Sequence, residues 1–241
     1  RPLPVAISMV TIGLVALLIA RQPDLGTSLL IGASGVYVLF FSGVRVMLLK
    51  NKWLNLLLLS SLLGGSLFLA WNYFLIAYQK RRILTLFNPE SDPLGSGYHI
   101  IQSKIAIGSG GFTGKGIAKG SQSQLDFVPE QSTDFIFSVL AEELGFLGVL
   151  LLIIIYSLII YRCLILSLRC EDNFSRLLGA SLTFVFFTYI FVNIGMVSGL
   201  LPVVGVPLPL ISYGGSSLIT LMASFGIIMS IHKHKGPRYL Q

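Results

Sequence analysis

The chain has 241 residues, of which 54% are hydrophobic and only 11% charged, with a net charge of +7. Soluble domains carry about 25% charged residues, so composition excludes an ordinary soluble protein and points to an integral membrane protein. The positive charge lies in short gaps between apolar runs, with no basic cluster interleaved with aromatics, which excludes a nucleic-acid partner.

Six segments are long and apolar enough to cross roughly 30 Å of hydrocarbon as helices. They fall at about 3–20, 25–44, 53–78, 135–161, 177–197 and 208–231. The expected fold is therefore all-α, a polytopic transmembrane helical bundle with one large extracytoplasmic loop. Three helices occupy 1–77, the loop occupies 78–133, and three helices with a short tail occupy 134–241. Lys and Arg in the short loops set orientation. Arg45, Lys50 and Lys52, then Arg162, Arg169 and Arg176, then Lys233, Lys235 and Arg238 share one side, which becomes cytoplasmic. Cys163 and Cys170 flank a short loop on that side, where a disulfide is not expected and ordinary packing is. The chain opens at Arg1 directly before an apolar run, with no Met and no signal-peptide pattern, which suggests a fragment.

The polar stretch from Tyr78 to Asp134 breaks this greasy background. Loops beyond about 15 residues are usually functional or disordered. Leu84, Phe87, Tyr98, Ile100, Ile101, Ile105 and Phe127 give this one too many apolar anchors for a disordered linker. Pro89, Pro93 and Gly95-Ser96-Gly97 break the chain, and the apolar spacing over 98–107 predicts a short helix. The glycine-rich run from Gly108 to Gly116 lacks the Ser or Thr after its lysine that a nucleotide phosphate loop requires. It reads either as a flexible turn or as a cradle for a lipid-linked diphosphate.

Acidic residues at the outer ends of spans are the candidate reactive groups. Asp24 suits the N-cap of the second span, with a second role toward the cavity left open. Asp134 stands at the start of the fourth, with Glu142 and Glu143 about 12–13 Å further in at 1.5 Å per residue. Ionisable groups at that depth are costly and usually face an interior cavity. The last outer loop, from Asn193 to Ser217, carries Pro202, Pro207, Pro209 and repeated glycines. Irregular backbone at membrane depth is tolerated only where protein or water satisfies it, so this loop is expected to rim the same cavity.

The last outer loop resembles the signature of the SEDS family (shape, elongation, division and sporulation). The matching positions are Asn193, Gly199-Leu200, Pro202, Gly205 and Ser212-Tyr213-Gly214-Gly215-Ser216-Ser217. The stretches 22–27, 102–111, 133–137 and 141–145 are similar to further family blocks. Asn88-Pro89, Asp92-Pro93-Leu94-Gly95 and Gly97-Tyr98 look like the elongation members rather than the division members. The resemblance implies ten spans, of which this chain would hold the last six. It implies polymerisation of lipid II into glycan strands at the bacterial cytoplasmic membrane, alongside a class B penicillin-binding protein. Asp134 then matches the essential carboxylate and is expected to act as general base. Lys104, Lys115, Lys119 and Arg81, with Arg82 beside it, are expected to neutralise the diphosphate. Ser212 and Tyr213 are expected at the substrate, and Asp24, Glu130, Glu142 and Glu143 in the cavity wall. A divalent cation such as Mg²⁺ is left open, and its ligands are unknown. A flippase for the lipid-linked precursor and a scaffold for the synthase remain alternatives.

Overall fold

A computed structural model describes residues 2–22, 24–43, 52–93, 95–121 and 132–233, and every regular element among them is helical. The helices are α1 (Pro2–Ala20), α2 (Leu25–Phe41), α3 (Lys52–Leu69), α4 (Ala77–Phe87), α5 (Ser96–Gly110), α6 (Ile136–Leu168), α7 (Asn173–Val197) and α8 (Gly215–Lys233). A π-helical turn, Ala70–Phe74, follows α3, and a 3₁₀ turn, Pro89–Ser91, precedes α5. By length and composition α6, α7 and α8 are able to cross a membrane, and the apolar stretches of α1 and α2 are shorter. The expected all-α polytopic bundle stands.

Four boundaries differ from the sequence reading, each for a local reason. The third span stops at Leu69 because the π turn interrupts it, and Tyr78 belongs to α4 instead. The fourth does not end at Tyr161; its apolar face carries α6 on to Leu168. The fifth starts at Asn173, because Asp172 caps it by accepting from the Ser175 N–H at 3.0 Å. That bond comes first among those holding the Asp172 carboxyl below the usual carboxylate range. The sixth starts at Gly215 rather than at 208. Pro207 and Pro209 lack the N–H a helix needs, and Leu210 sits at φ 66°.

At one end α5, α6 and α7 meet over a core of Ile100, Phe137, Tyr156, Phe186 and Met196, closed above by Val203, Val206 and Leu208. Below that level many large apolar side chains face outward, Leu151, Leu158, Ile219 and Met229 among them. That is the arrangement a lipid surround permits, since hydrocarbon gives helices no hydrophobic reason to associate. Small residues bring them close instead. A Cβ at Gly35 would fall on Ile12 and one at Gly179 on Ser167. The Tyr37 hydroxyl shares a 2.6 Å hydrogen bond with Thr188 across α2 and α7.

α6 is broken near its outer end. Gly145 has φ 65° and ψ −163°, outside the helical region. In an unbroken helix the N–H groups of Phe146 and Leu147 would donate to the carbonyls of Glu142 and Glu143. They donate instead to the Gly111 and Phe112 carbonyls, at 3.0 and 3.2 Å. The Glu142 and Glu143 carbonyls accept from the Lys115 and Gly116 amides, both at 3.0 Å. The glycine-rich loop after α5 thus plugs into the helix and exchanges partners with it.

Gly145→Ala is therefore expected to cost more than about 1 kcal/mol, because this backbone region is essentially reserved for glycine. A Cβ there would also fall on the Gly114 amide. Thermal unfolding in detergent checks it; a parental melting temperature would mean the break relaxes without strain.

Candidate active site

A cavity of about 700 Å³ opens between α4, α5, the turn before α6 and the 203–205 segment. Asp134 lines it together with Arg81, Arg82, His99, Phe135 and Tyr78. Asp134 lies in a turn, and α6 begins beyond it with Phe135 as its N-cap and no capping side chain. Asp134 is thus not the side chain that caps α6. Its carboxylate closely approaches the far wall: a Cβ built at Gly205 would lie 3.3 Å from Asp134 Oδ2. Gly205 itself has φ +75°, so only glycine fits both the backbone and the space.

The cationic side is made by α4. Arg82 Nη1 donates to the Val203 carbonyl at 2.9 Å, and its guanidinium lies 4.4 Å from the Tyr78 ring centroid. Arg82 Nε is buried with no hydrogen-bond partner among the described residues. Arg81 pairs with Asp92 at 2.9 Å, and its side chain is 66% exposed. Asp92 also accepts from the Ser96 N–H and hydroxyl. Both arginines line the cavity, Arg81 through its ion pair with Asp92 and Arg82 through the Val203 carbonyl and the Tyr78 ring. His99 of α5 stacks on Phe135, ring centroids 5.5 Å apart and 19° from parallel.

The other candidate residues divide. Lys115 does not line the cavity; its Nζ is 2.7 Å from Glu142 Oε1 and 2.9 Å from the Ser121 hydroxyl. Glu142 is fully buried, and the Lys115 side chain is 29% exposed. Glu143 accepts from the Ala118 N–H at 3.0 Å. Lys115, Glu142 and Glu143 together fasten the 111–121 loop to the broken helix. The Lys115 and Gly116 amides that a diphosphate cradle would need are committed to α6 carbonyls. Lys119 is exposed and lies beside Gly116. Lys104 lies over Gly199, where a Cβ would fall on its Cε. Asp24 caps α2, accepting from the Thr27 N–H at 3.0 Å. Tyr213 is 81% exposed and uses its backbone N–H on the Ser132 carbonyl at 2.9 Å. Ser212 accepts from the Leu208 N–H at 2.7 Å and donates to the Thr133 carbonyl. Glu130 lies outside the described residues. Both cysteines are buried and unlinked.

Sequence reasoning gave no site role to His99, or to Asn193 beyond its place in the family signature. His99 stands one turn before Ser103, which is fully buried and donates to the Val197 carbonyl, so the inward face of α5 was its signal. Asn193 is fully buried in α7, and its Nδ2 donates to the Asp134 carbonyl at 2.8 Å and the Val206 carbonyl at 2.7 Å.

The fold and site define a polytopic helical membrane protein with a charged cavity under a broken outer loop. The chain belongs to the FtsW/RodA/SpoVE family of cell cycle proteins, whose profile matches residues 2–236. It is 54% identical over 229 residues to the peptidoglycan glycosyltransferase MrdB of Escherichia coli K12, covering 95% of this chain and 60% of that one. It is 46% identical over 155 residues to the peptidoglycan glycosyltransferase RodA of Treponema pallidum, covering 64% of this chain and 36% of that one. A solved chain from a peptidoglycan synthase complex, studied for its coordination of polymerization and crosslinking, superposes with a TM-score of 0.71 at 32% identity. The match covers 96% of this chain and 61% of that one. The chain thus spans about three-fifths of the MrdB length.

The Lys115–Glu142 pair supplies a test of its own. Breaking a buried ion pair on one side typically costs about 3–5 kcal/mol, because a buried charge is left uncompensated. Lys115→Met is expected to lower stability by an amount of that order, and Lys115→Met with Glu142→Leu to recover most of it. Unfolding in detergent reads both. If Lys115 instead held substrate, the single change would raise KM and leave stability alone.

Proposed function

We propose that the protein carrying this chain is a lipid II polymerase of the bacterial inner membrane, making glycan strands during cell elongation. The observation that carries this is the cavity itself, in which the Asp134 carboxylate and the Arg82 guanidinium share one 700 Å³ space. The relatives' names supply the reaction class. The acceptor sugar's hydroxyl oxygen forms a bond to the donor's anomeric carbon. The bond from that carbon to the diphosphate oxygen breaks, and a lipid diphosphate leaves. The hydroxyl proton goes to Asp134, which is what a weak nucleophile needs from a neighbouring base. Arg82, with His99 beside it, stabilises the negative charge gathering on the diphosphate, where fixed donors act most strongly.

A divalent cation enters this proposal only with the substrate. Among the described residues no group of three His, Cys, Asp or Glu side chains is placed to hold a metal. Mg²⁺ commonly binds through one or two carboxylates plus substrate phosphates, and no step here depends on it. The partner we propose is a class B penicillin-binding protein, supported by the synthase complex to which the solved neighbour belongs. The orientation proposed puts the large loop outside and the C-terminus in the cytoplasm, supported by the short-loop charge bias.

Asp134→Asn keeps size and most hydrogen-bonding capacity but not basicity, so a purely structural role would survive the change at little cost. Loss of the base lowers the polymerisation rate by roughly 10²–10⁴, with folding and lipid II binding retained. Strand synthesis by the full-length protein, with crosslinking blocked, measures this. Near-parental synthesis by the variant would end the role of Asp134 as base.

Orientation has a separate measurement. Ile117 is 76% exposed in the loop, so Ile117→Cys should react with an impermeant thiol reagent in intact spheroplasts. Reaction only after lysis would reverse the topology.

A further inference from the structure

Asp134 sits in a turn outside α6, so helix geometry does not fix its direction; whatever grips the turn does. Three successive carbonyls of that turn are gripped. Ser132 accepts from the Tyr213 N–H at 2.9 Å, Thr133 from the Ser212 hydroxyl, and Asp134 from Asn193 Nδ2 at 2.8 Å. The first is a backbone bond that outlives any side-chain change. The second comes from the last outer loop. The third comes from a different element, α7, and from a residue with no exposed surface.

The Asn193 amide also ties the turn to the segment beside Gly205. Its second hydrogen bond runs to the Val206 carbonyl at 2.7 Å, one residue from Gly205, which faces the Asp134 carboxylate. A single planar NH₂ group therefore spans the backbone that carries the carboxylate and the backbone that walls the cavity opposite it. Two bonds on one nitrogen set the separation of those two segments. Asn193 Oδ1, in turn, is buried and meets no donor among the described residues. A buried acceptor left without a donor is destabilising, so this orientation of the amide serves the two carbonyls at the expense of its own oxygen.

We propose that Asn193 is the positioning residue of the site: its two donated hydrogen bonds hold the Asp134 carboxylate at its working distance from the cavity wall. The proposal rests on the reading of Asp134 as the base. A displacement of about 1 Å in such a group is enough to cost on the order of 10²-fold in rate.

The test is a double-mutant cycle on the full-length protein in detergent, with lipid II as substrate and crosslinking blocked. Asn193→Ala and Asn193→Gln, which keeps the amide but moves it by a methylene, are each made in the parent and in Asp134→Asn. In the parent, either change should lower kcat by roughly 10–10², with KM within about threefold. In the Asp134→Asn background the same change should lower the residual rate by less than about threefold, because residues acting through one group are not additive. Thr183, an equally buried hydroxyl of α7 that donates to the Gly179 carbonyl of its own helix, provides the comparison. Thr183→Ala should lower the melting temperature without lowering kcat per folded molecule. Equal losses from Asn193→Ala in both backgrounds, or a loss that vanishes when corrected for folded fraction, would overturn the proposal. Should the alanine variant not fold, the glutamine variant carries the same cycle. Near-parental activity in Asp134→Asn alone would instead remove the base reading, and is distinguished by that single arm.

Discussion

The segment between α7 and α8 is irregular backbone, much of it buried among the helices, and its carbonyls must find donors inside the protein. That requirement organises the upper half of the molecule. Ser103 of α5 donates to the Val197 carbonyl, Arg82 of α4 to Val203, Asn193 of α7 to Val206, and Tyr156 of α6 to Pro209. Four helices each send one side chain to one carbonyl. Pro202, Pro207 and Pro209 ease the other half of the problem, since they carry no N–H to satisfy. The site is built from the same bonds. Arg82 lines the cavity, and Asn193 holds the turn that carries Asp134, through these same donors.

Charge sorts itself by the same logic of burial. Lys115 and Glu142, the latter wholly buried, pair at 2.7 Å and hold the loop to the broken helix. Arg81 and Asp92 pair nearer the surface, where an ion pair is worth at most about 1 kcal/mol. Arg82 is held differently: its described contacts are a carbonyl and an aromatic ring, which fix the guanidinium at the cavity.

Much of this is legible in the sequence, and the failures have physical causes. Apolar runs locate the spans, and the spacing over 98–107 anticipates α5, because hydrophobic periodicity survives without tertiary information. The prolines and glycines of 199–215 mark irregular backbone for the same reason. α4 escapes such a reading, since its polar face makes it look like part of the loop around it. The ion pair of Lys115 is invisible in one dimension, since its buried partner lies 27 positions on. Arg82 and Arg81 are adjacent and chemically alike. Only the fold decides which of them meets Asp92.

The donors that satisfy the last outer loop also fix when the site can exist. Arg82 lies 121 positions before the Val203 carbonyl it serves, Ser103 lies 94 before Val197, and the Thr133 carbonyl lies 79 before Ser212. During synthesis the early helices enter the bilayer long before the loop that needs them has left the ribosome. Contacts of such separation carry a large loop-closure cost and form late. The Asp134 carboxylate therefore has no settled place in a nascent chain. The turn that carries it gains two of its donors only with Ser212 and Tyr213, so a polypeptide truncated before them lacks the bonds to the Ser132 and Thr133 carbonyls.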